Sequence, residues 1–110
     1  MRKTTQRWWQ QAGEHCEEFL EATAQLNTYT PPERIRDLID MMRAEMTIIE
    51  SLSYHPDCAE ARQHLLDAMR GMLMGFDKAL SGNFSEAEAY IQNAHTALCS
   101  FDHLLGERVA

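Results

Sequence analysis

Three potential metal ligands recur every four residues in the C-terminal sequence HTALCSFDHLL: His95, Cys99 and His103. Side chains four apart share one face of an α-helix, and imidazole nitrogen and thiolate sulfur are preferred ligands of Zn²⁺. Each step of four turns that face by about 40°, so only two neighbours of this row can reach the same ion. The spacing therefore suggests part of a zinc or copper site.

A closed zinc site needs four ligands, so other segments would have to contribute. The pairs His15–Cys16 and His55–Cys58 offer the same residue types. In an antiparallel bundle, His55 and His103 fall near the same end. The metal hypothesis therefore has one candidate ligand set: His55, Cys58, Cys99 and His103. The alternative is two surface histidines and a half-buried thiol with no metal. The helical geometry favours this alternative, because the row turns away from the apolar seam.

The sequence patterns of known bundle chemistries are absent. No histidine follows a glutamate by three residues, as the di-iron Glu-x-x-His motif requires. The chain also has no Cys-x-x-Cys-His haem motif, no Gly-x-Ser-x-Gly elbow, no phosphate-binding glycine loop and no His-Glu-x-x-His. We therefore expect no enzymatic activity, no catalytic residue and no cofactor.

The charge and the cysteines narrow the possible partners and the compartment. With 10 Lys and Arg against 17 Asp and Glu, the formal net charge is −7, and nucleic-acid affinity depends mostly on cations that neutralise phosphates. No apolar run could span a bilayer, and the N-terminal residues lack the hydrophobic segment that we would expect of a secretory signal. The 3 cysteines are an odd number at scattered spacings, which indicates a reducing compartment. We therefore expect a cytoplasmic protein that binds neither nucleic acid nor membrane.

Apolar residues recur with helical periodicity in four segments, and no segment alternates as a strand would. The junctions carry helix signals. Thr30 and Ser85 are each followed three residues later by Glu, which predicts capping boxes, and Gly82 suits the left-handed end of a helix. Pro56 predicts a break, with Asp57 as the next cap. Because short loops favour antiparallel neighbours, the 110 residues are predicted to form one all-α domain, an antiparallel up-down-up-down four-helix bundle.

One junction carries a family resemblance. The tripeptide His55, Pro56 and Asp57 resembles the His-Pro-Asp between helices II and III of J-domains, the co-chaperones that stimulate Hsp70. The resemblance implies an Hsp70 contact through the preceding helix, which is basic in J-domains. In this chain that helix is acidic, with Asp37, Asp40, Glu45 and Glu50. The match covers only the tripeptide, and a helix breaker followed by a capping acid is the simpler interpretation.

Two glycines lie inside the third predicted helix. Gly71 and Gly75 are four residues apart and therefore share one face. Each costs about 0.5–1 kcal/mol relative to alanine, so their presence indicates that something large approaches closely. The structural candidates are Trp8, Trp9 or the backbone of a neighbouring helix. The functional alternative is a groove for a partner helix or a small ligand.

The second and third helices carry more apolar residues than one seam can bury. A bundle helix needs an apolar stripe about 100° wide, and these helices have wider arcs, helped by several of the 7 methionines. Spare apolar rows on a soluble protein typically mark association surfaces. The predicted partner interface consists of Met41, Ile48, Leu66, Leu73 and Met74.

The sequence therefore favours a small non-enzymatic protein that acts through protein–protein association. An adaptor, an assembly or secretion chaperone and a regulatory subunit all fit this description. Because isologous dimers are the commonest way to bury a spare apolar row, we expect a homodimer. The alternative is a bundle that binds a small ligand or a metal between its helices. The first helix could pack on its own bundle or be exchanged between chains.

Overall fold

A computed structural model describes the backbone of residues 3–109 and the side chains of residues 5–104. It contains four helices: α1 (Lys3–Thr23), α2 (Pro32–Ser51), α3 (Ala59–Leu80) and α4 (Phe84–Val109). A short 3₁₀ turn, Pro56–Cys58, precedes α3. Because the described part of the chain is helical and contains no strand, the predicted all-α four-helix fold is confirmed.

The helices pack in a ring. Each packs against its neighbours in sequence, and α1 closes the ring against α4, within an elongated body of 45 × 21 × 20 Å. The helices α3 and α4 run antiparallel, because Gly71 faces Ala94 whereas the later Gly75 faces the earlier Ile91. This ring is compatible with the up-down order predicted for all four helices.

An aromatic cluster joins α1 to α4 inside the bundle. The rings of Trp9 and Phe101 are stacked, with centroids 5.2 Å apart and planes at 17°. Trp8 is fully buried and meets both rings edge-on, at 5.3 Å and 6.2 Å. Such aromatic pairs contribute about 0.5–1.5 kcal/mol each beyond the burial of their area. The cluster therefore fixes α1 against α4 within a single chain.

Two predicted caps are wrong at the starts of α2 and α4. Thr30 does not cap α2, which begins at Pro32 after an uncapped Pro31. A cap at Thr30 would leave proline, which has no N–H, at a position where the cap usually bonds. The Thr30 hydroxyl instead accepts a hydrogen bond from the Asn27 N–H at 2.9 Å. At α4 the Asn83 carboxamide, and not Ser85, accepts from a first-turn N–H, that of Glu86, at 3.3 Å.

The two remaining junction predictions have different outcomes. Gly82 has a φ of +84°, so the predicted left-handed end of α3 is confirmed. The 3₁₀ turn is capped by His55 and not by Asp57, because His55 Nδ1 accepts the Asp57 N–H at 3.1 Å. The His-Pro-Asp tripeptide thus closes a local turn.

Candidate functional site

An apolar groove runs along the outer side of α3 and α4, and we call it the α3–α4 groove. It encloses a cavity of about 560 Å³. Its floor consists of Trp9, Leu65 and Phe101, and its walls consist mainly of short side chains. The short wall residues are Ala61, Ala68, Gly71, Ala94, Ala97 and Ser100. Because these side chains are short, the two helix backbones themselves form much of the walls.

The two glycines of α3 have different neighbours. A Cβ on Gly75 would lie 2.6 Å from Ile91 Cγ1 and 3.2 Å from the Ile91 backbone nitrogen, so the helices touch at this point. A Cβ on Gly71 would meet only Ala94 Cβ, at 3.6 Å, which is an ordinary contact. Gly75 therefore admits the backbone of α4 and neither tryptophan. Gly71 instead lines the groove above Trp9.

Exposed apolar side chains stand at both ends of the α3–α4 groove. Tyr90 lies at one end and Leu104 at the other, and both are exposed. Met74, which is 49% exposed on α3, lies outside the groove lining. Along α4 the lining runs from Tyr90 to Leu104, which spans about 20 Å at about 1.5 Å per residue.

Few polar groups line the groove. His64 and Asp67 of α3 stand on one wall, and Asn93 of α4 stands on the other. The Asp67 carboxylate accepts hydrogen bonds from Gln63 at 2.9 Å and from Arg70 at 3.1 Å. Its charge is therefore already compensated on α3, and the groove remains predominantly apolar.

The five residues of the predicted partner interface do not form one surface. Leu66 is only 2% exposed and belongs to the core, which contradicts its assignment to an interface. Leu73 is half-buried and packs against that core. The error has a physical reason: α3 packs against both α2 and α4, so its buried arc is wider than one seam. Of the other three residues, Met41 and Ile48 are 45% and 38% exposed on α2, and Met74 is exposed on α3.

The exposed members of that set lie on different helices. Met41 lines a cleft between α1 and α2, together with Glu18 and Glu45. Met74 lies on α3, outside the lining of this cleft and of the α3–α4 groove. In a ring of four helices the α1–α2 and α3–α4 seams lie on opposite sides. The exposed members of the predicted interface therefore do not converge on one site.

The predicted set of four metal ligands does not converge. Cys58 is fully buried with its Sγ 4.0 Å from the Thr5 carbonyl oxygen, whereas Cys99 and His103 are exposed on α4. His55 caps the 3₁₀ turn, as described above. Among the side chains of residues 5–104, these four donors form no cluster within ligand distance. The metal hypothesis for this set is wrong, because Cys58 points into the core and the α4 row points outward.

The exposed row on α4 keeps one of its predicted pairings. Cys99 Sγ lies 3.7 Å from His95 Nδ1, one helical turn away. The concavity around His95, Cys99 and His103 is lined by α4 alone, among the residues that the structure describes. The row therefore offers at most two neighbouring ligands to one ion, as the spacing predicts.

A different cluster, which sequence reasoning missed, joins α1 to α2. His15 Nδ1 donates to Glu45 Oε2 at 2.5 Å and lies 3.9 Å from Glu18 Oε2. A hydrogen bond with the Glu45 side chain and the charge of that carboxylate raise the pKa of Glu18. We call these three residues the His–Glu cluster. The spacing of His15 and Glu18, three apart on one helix, is the signal that could have indicated it.

The thiol beside this cluster is inert by contrast. Cys16 is fully buried, and burial raises the pKa of its thiol to about 12, with smaller contributions from nearby acidic groups such as Asp102. A thiol with so high a pKa is not a nucleophile or a metal ligand near neutral pH. Cys16 therefore acts as a small apolar core residue.

Comparison with known proteins gives no guide to function. No protein-family model, curated protein or solved structure matches this chain. The J-domain resemblance thus stays limited to the tripeptide. None of the helices within residues 3–109 combines the length and apolar character that a bilayer crossing demands. Function is therefore inferred from the α3–α4 groove and the His–Glu cluster themselves.

Proposed function

We propose that this chain is a non-enzymatic cytoplasmic binding protein whose α3–α4 groove receives an amphipathic helix of a partner protein. An adaptor, an assembly or secretion chaperone, or a regulatory subunit would work in this way. The observation that supports the proposal is an open apolar groove with an exposed apolar side chain at each end, namely Tyr90 and Leu104. Contiguous exposed apolar surface on a soluble protein typically marks an association site.

The dimensions of the groove favour a helix as the occupant. Its length of about 20 Å matches about 13 residues of α-helix at 1.5 Å per residue. Helix axes pack about 8–10 Å apart, and the shorter distances need small residues at the contact. Ala68, Gly71, Ala94 and Ala97 supply such residues on both walls. The apolar stripe of the partner helix would pack against the Trp9 and Phe101 floor.

The charge of the chain favours a basic partner over a second copy. The formal net charge of −7 attracts a helix whose apolar stripe is flanked by Lys or Arg, and it speeds the encounter. A second copy brings the same negative charge, so electrostatic repulsion opposes self-association. We therefore place a heterologous basic helix ahead of the homodimer that the sequence alone favours.

A pair of lysine substitutions on α4 tests the proposal. Ala97→Lys places a long charged side chain in the groove, whereas Ala89→Lys adds the same charge at an exposed position outside the groove lining. The probe is an 18-residue Leu/Lys amphipathic peptide, followed by fluorescence anisotropy. We expect wild type and Ala89→Lys to bind alike and Ala97→Lys to bind at least about tenfold more weakly, a difference of about 1.4 kcal/mol.

Two controls decide between the possible occupants. A Leu/Glu peptide of the same length tests the charge argument, and it should bind more weakly than the Leu/Lys peptide. Equal binding of the peptide by Ala97→Lys and wild type contradicts the proposal. A dimer in sedimentation equilibrium that Ala97→Lys alone dissociates identifies a second copy as the occupant instead.

A small apolar ligand is the second candidate, because aromatic rings form the groove floor. Trp9 stacked on Phe101 gives a flat apolar surface at the base of a cavity whose volume suits a small molecule. Native mass spectrometry of the purified protein tests this candidate. A bound molecule that Gly71→Leu displaces supports it, and a spectrum of the bare chain contradicts it.

A further inference from the structure

The His–Glu cluster lies at the seam between α1 and α2, away from the α3–α4 groove. It brings together one imidazole nitrogen and two carboxylate oxygens, all within 4.8 Å of one another. His15 and Glu18 come from α1, one turn apart, and Glu45 comes from α2. Three donors from two helices therefore converge on one point.

We propose that His15, Glu18 and Glu45 bind one divalent transition-metal ion of the zinc class, which links α1 to α2. Zn²⁺ binds histidine nitrogen at about 2.0–2.1 Å and carboxylate oxygen at about 2.0–2.2 Å, so two ligands of one tetrahedral ion lie about 3.3 Å apart. The Nδ1–Oε2 distances of 2.5 Å to Glu45 and 3.9 Å to Glu18 bracket this value. Small side-chain rotations bring all three donors to a common ion.

The exposure of the three side chains gives the ion an entry path. The side chains of Glu45 and His15 are 18% and 25% exposed, whereas that of Glu18 is 60% exposed. Two ligands are therefore held by packing, and the third can swing toward solvent. Three protein ligands leave a fourth tetrahedral position for water, which is the arrangement of an open zinc site.

The charges around the cluster favour a divalent cation over a simple ion pair. A protonated His15 balances one carboxylate, whereas a dication balances both. A cleft of about 410 Å³ opens beside Glu18 and Glu45, and its described lining contains Glu21 but no lysine or arginine. No side-chain cation from that lining therefore competes for the two carboxylates.

Zinc titration of the full chain by calorimetry tests the site. Glu45→Gln keeps the shape of the side chain and removes the charged ligand, so we expect zinc affinity to fall at least about tenfold. Glu18→Gln should cause a smaller loss, because Glu18 is the more exposed ligand. The matched control is Glu60→Gln on α3, which removes the carboxylate of an exposed His64–Glu60 pair, 3.6 Å apart, and should leave the affinity unchanged.

The exposed row on α4 is the competing zinc site, and Cys99→Ser separates the two. We expect Cys99→Ser to retain the full affinity and the 1:1 stoichiometry of the wild-type chain. Failure of the wild type to bind zinc overturns the proposal. Loss of binding in Cys99→Ser with unchanged binding in Glu45→Gln also overturns it.

Two further measurements distinguish the loss of a zinc ligand from misfolding of a variant. Circular dichroism checks that Glu45→Gln keeps its helical content, and His15→Asn provides a second ligand deletion with the same expected loss. Since an ion that binds only the folded state raises the melting temperature, excess zinc should raise it in wild type and not in Glu45→Gln. Cobalt bound in place of zinc should show no thiolate charge-transfer band. Such a band, lost in Cys99→Ser, would move the site to α4.

Discussion

The α3–α4 and α1–α2 seams lie on opposite sides of the ring, and they differ in the side chains that line their outer edges. Along α3–α4 the edge consists mainly of alanine, glycine and serine, and the helices touch at Gly75. Along α1–α2 the edge carries the His–Glu cluster and Met41. The first edge leaves an apolar volume, and the second brings charged donors together. Two helix pairs of one bundle thus present surfaces of different chemistry.

The two seams differ in chemistry although both belong to the same fold. The core of this bundle is formed by inward-facing residues on all four helices. Most of the side chains that line the outer edges do not belong to it. The edges are free to vary, because a partly exposed position contributes little to the free energy of unfolding. Substitution and labelling of single residues can therefore distinguish the core of this bundle from its outer edges.

The largest effect should distinguish the core face of α3 from its exposed face. Leu66→Ala removes a side chain that is fully enclosed, and we expect a loss of about 2–5 kcal/mol in the free energy of unfolding. Met74→Ala, on an exposed position of the same helix, should change it by less than about 0.5 kcal/mol. Urea denaturation measures both. Similar losses in the two variants would contradict the burial of Leu66 and the exposure of Met74.

The glycines give the second test, because their substitutions should have opposite signs. Gly75→Ala forces a methyl group into Ile91, and we expect a net loss of about 1–2 kcal/mol after the gain in helix propensity. Gly71→Ala meets only an ordinary contact, so the protein should gain about 0.5–1 kcal/mol. Thermal and urea unfolding report the sign. Stabilisation by both variants would show that α3 and α4 do not touch at Gly75.

A smaller effect should locate the cap that starts α4 and so positions the groove wall. Asn83→Ala removes the side chain that accepts the Glu86 N–H, and we expect a loss of about 1 kcal/mol. Ser85→Ala removes a hydroxyl that makes no cap and should change the free energy of unfolding by less than about 0.5 kcal/mol. A larger loss for Ser85→Ala than for Asn83→Ala, measured by urea denaturation, would restore the cap that the sequence predicts.

The thiols test the contrast between the interior and the outer face of α4 without changing stability. At pH 8 we expect a disulfide reagent to modify Cys99, which is exposed, within minutes. Cys16 should stay unmodified in the folded chain, because burial raises the pKa of its thiol to about 12 and blocks access. Cys58 is buried as well and should react only after denaturation. Peptide mass spectrometry identifies the modified residue, and early labelling of Cys16 would contradict its burial.

The sequence could predict the helices because the signals for them are local. The apolar period of three and four residues predicts a helix from its own segment, and Gly82 ends α3 as its lack of a side chain allows. The caps were harder to predict: proline lacks the N–H that Thr30 would accept, whereas Asn83 and His55 cap from two residues before Ser85 and Asp57. The cost of an interior glycine predicts a close approach at both Gly71 and Gly75, but only Gly75 has one.

Packing decided which residues meet. The four predicted metal ligands do not converge. His15 and Glu45 do meet, although 30 positions separate them. Their meeting depends on the rotation and the register of α1 against α2, which no local pattern encodes. The same holds for Leu66, whose burial depends on α3 contacting two neighbours at once.

By itself, the sequence determined four amphipathic helices, three junctions and an acidic chain with few groups for chemistry. Only the tertiary structure decided that short side chains of α3 and α4 enclose a groove above Trp9 and Phe101, and that a histidine and two glutamates share one point between α1 and α2. The physical reason is the separation along the chain over which the deciding interactions act. Helix formation depends on residues within about one turn, whereas a site depends on the position of one helix relative to another.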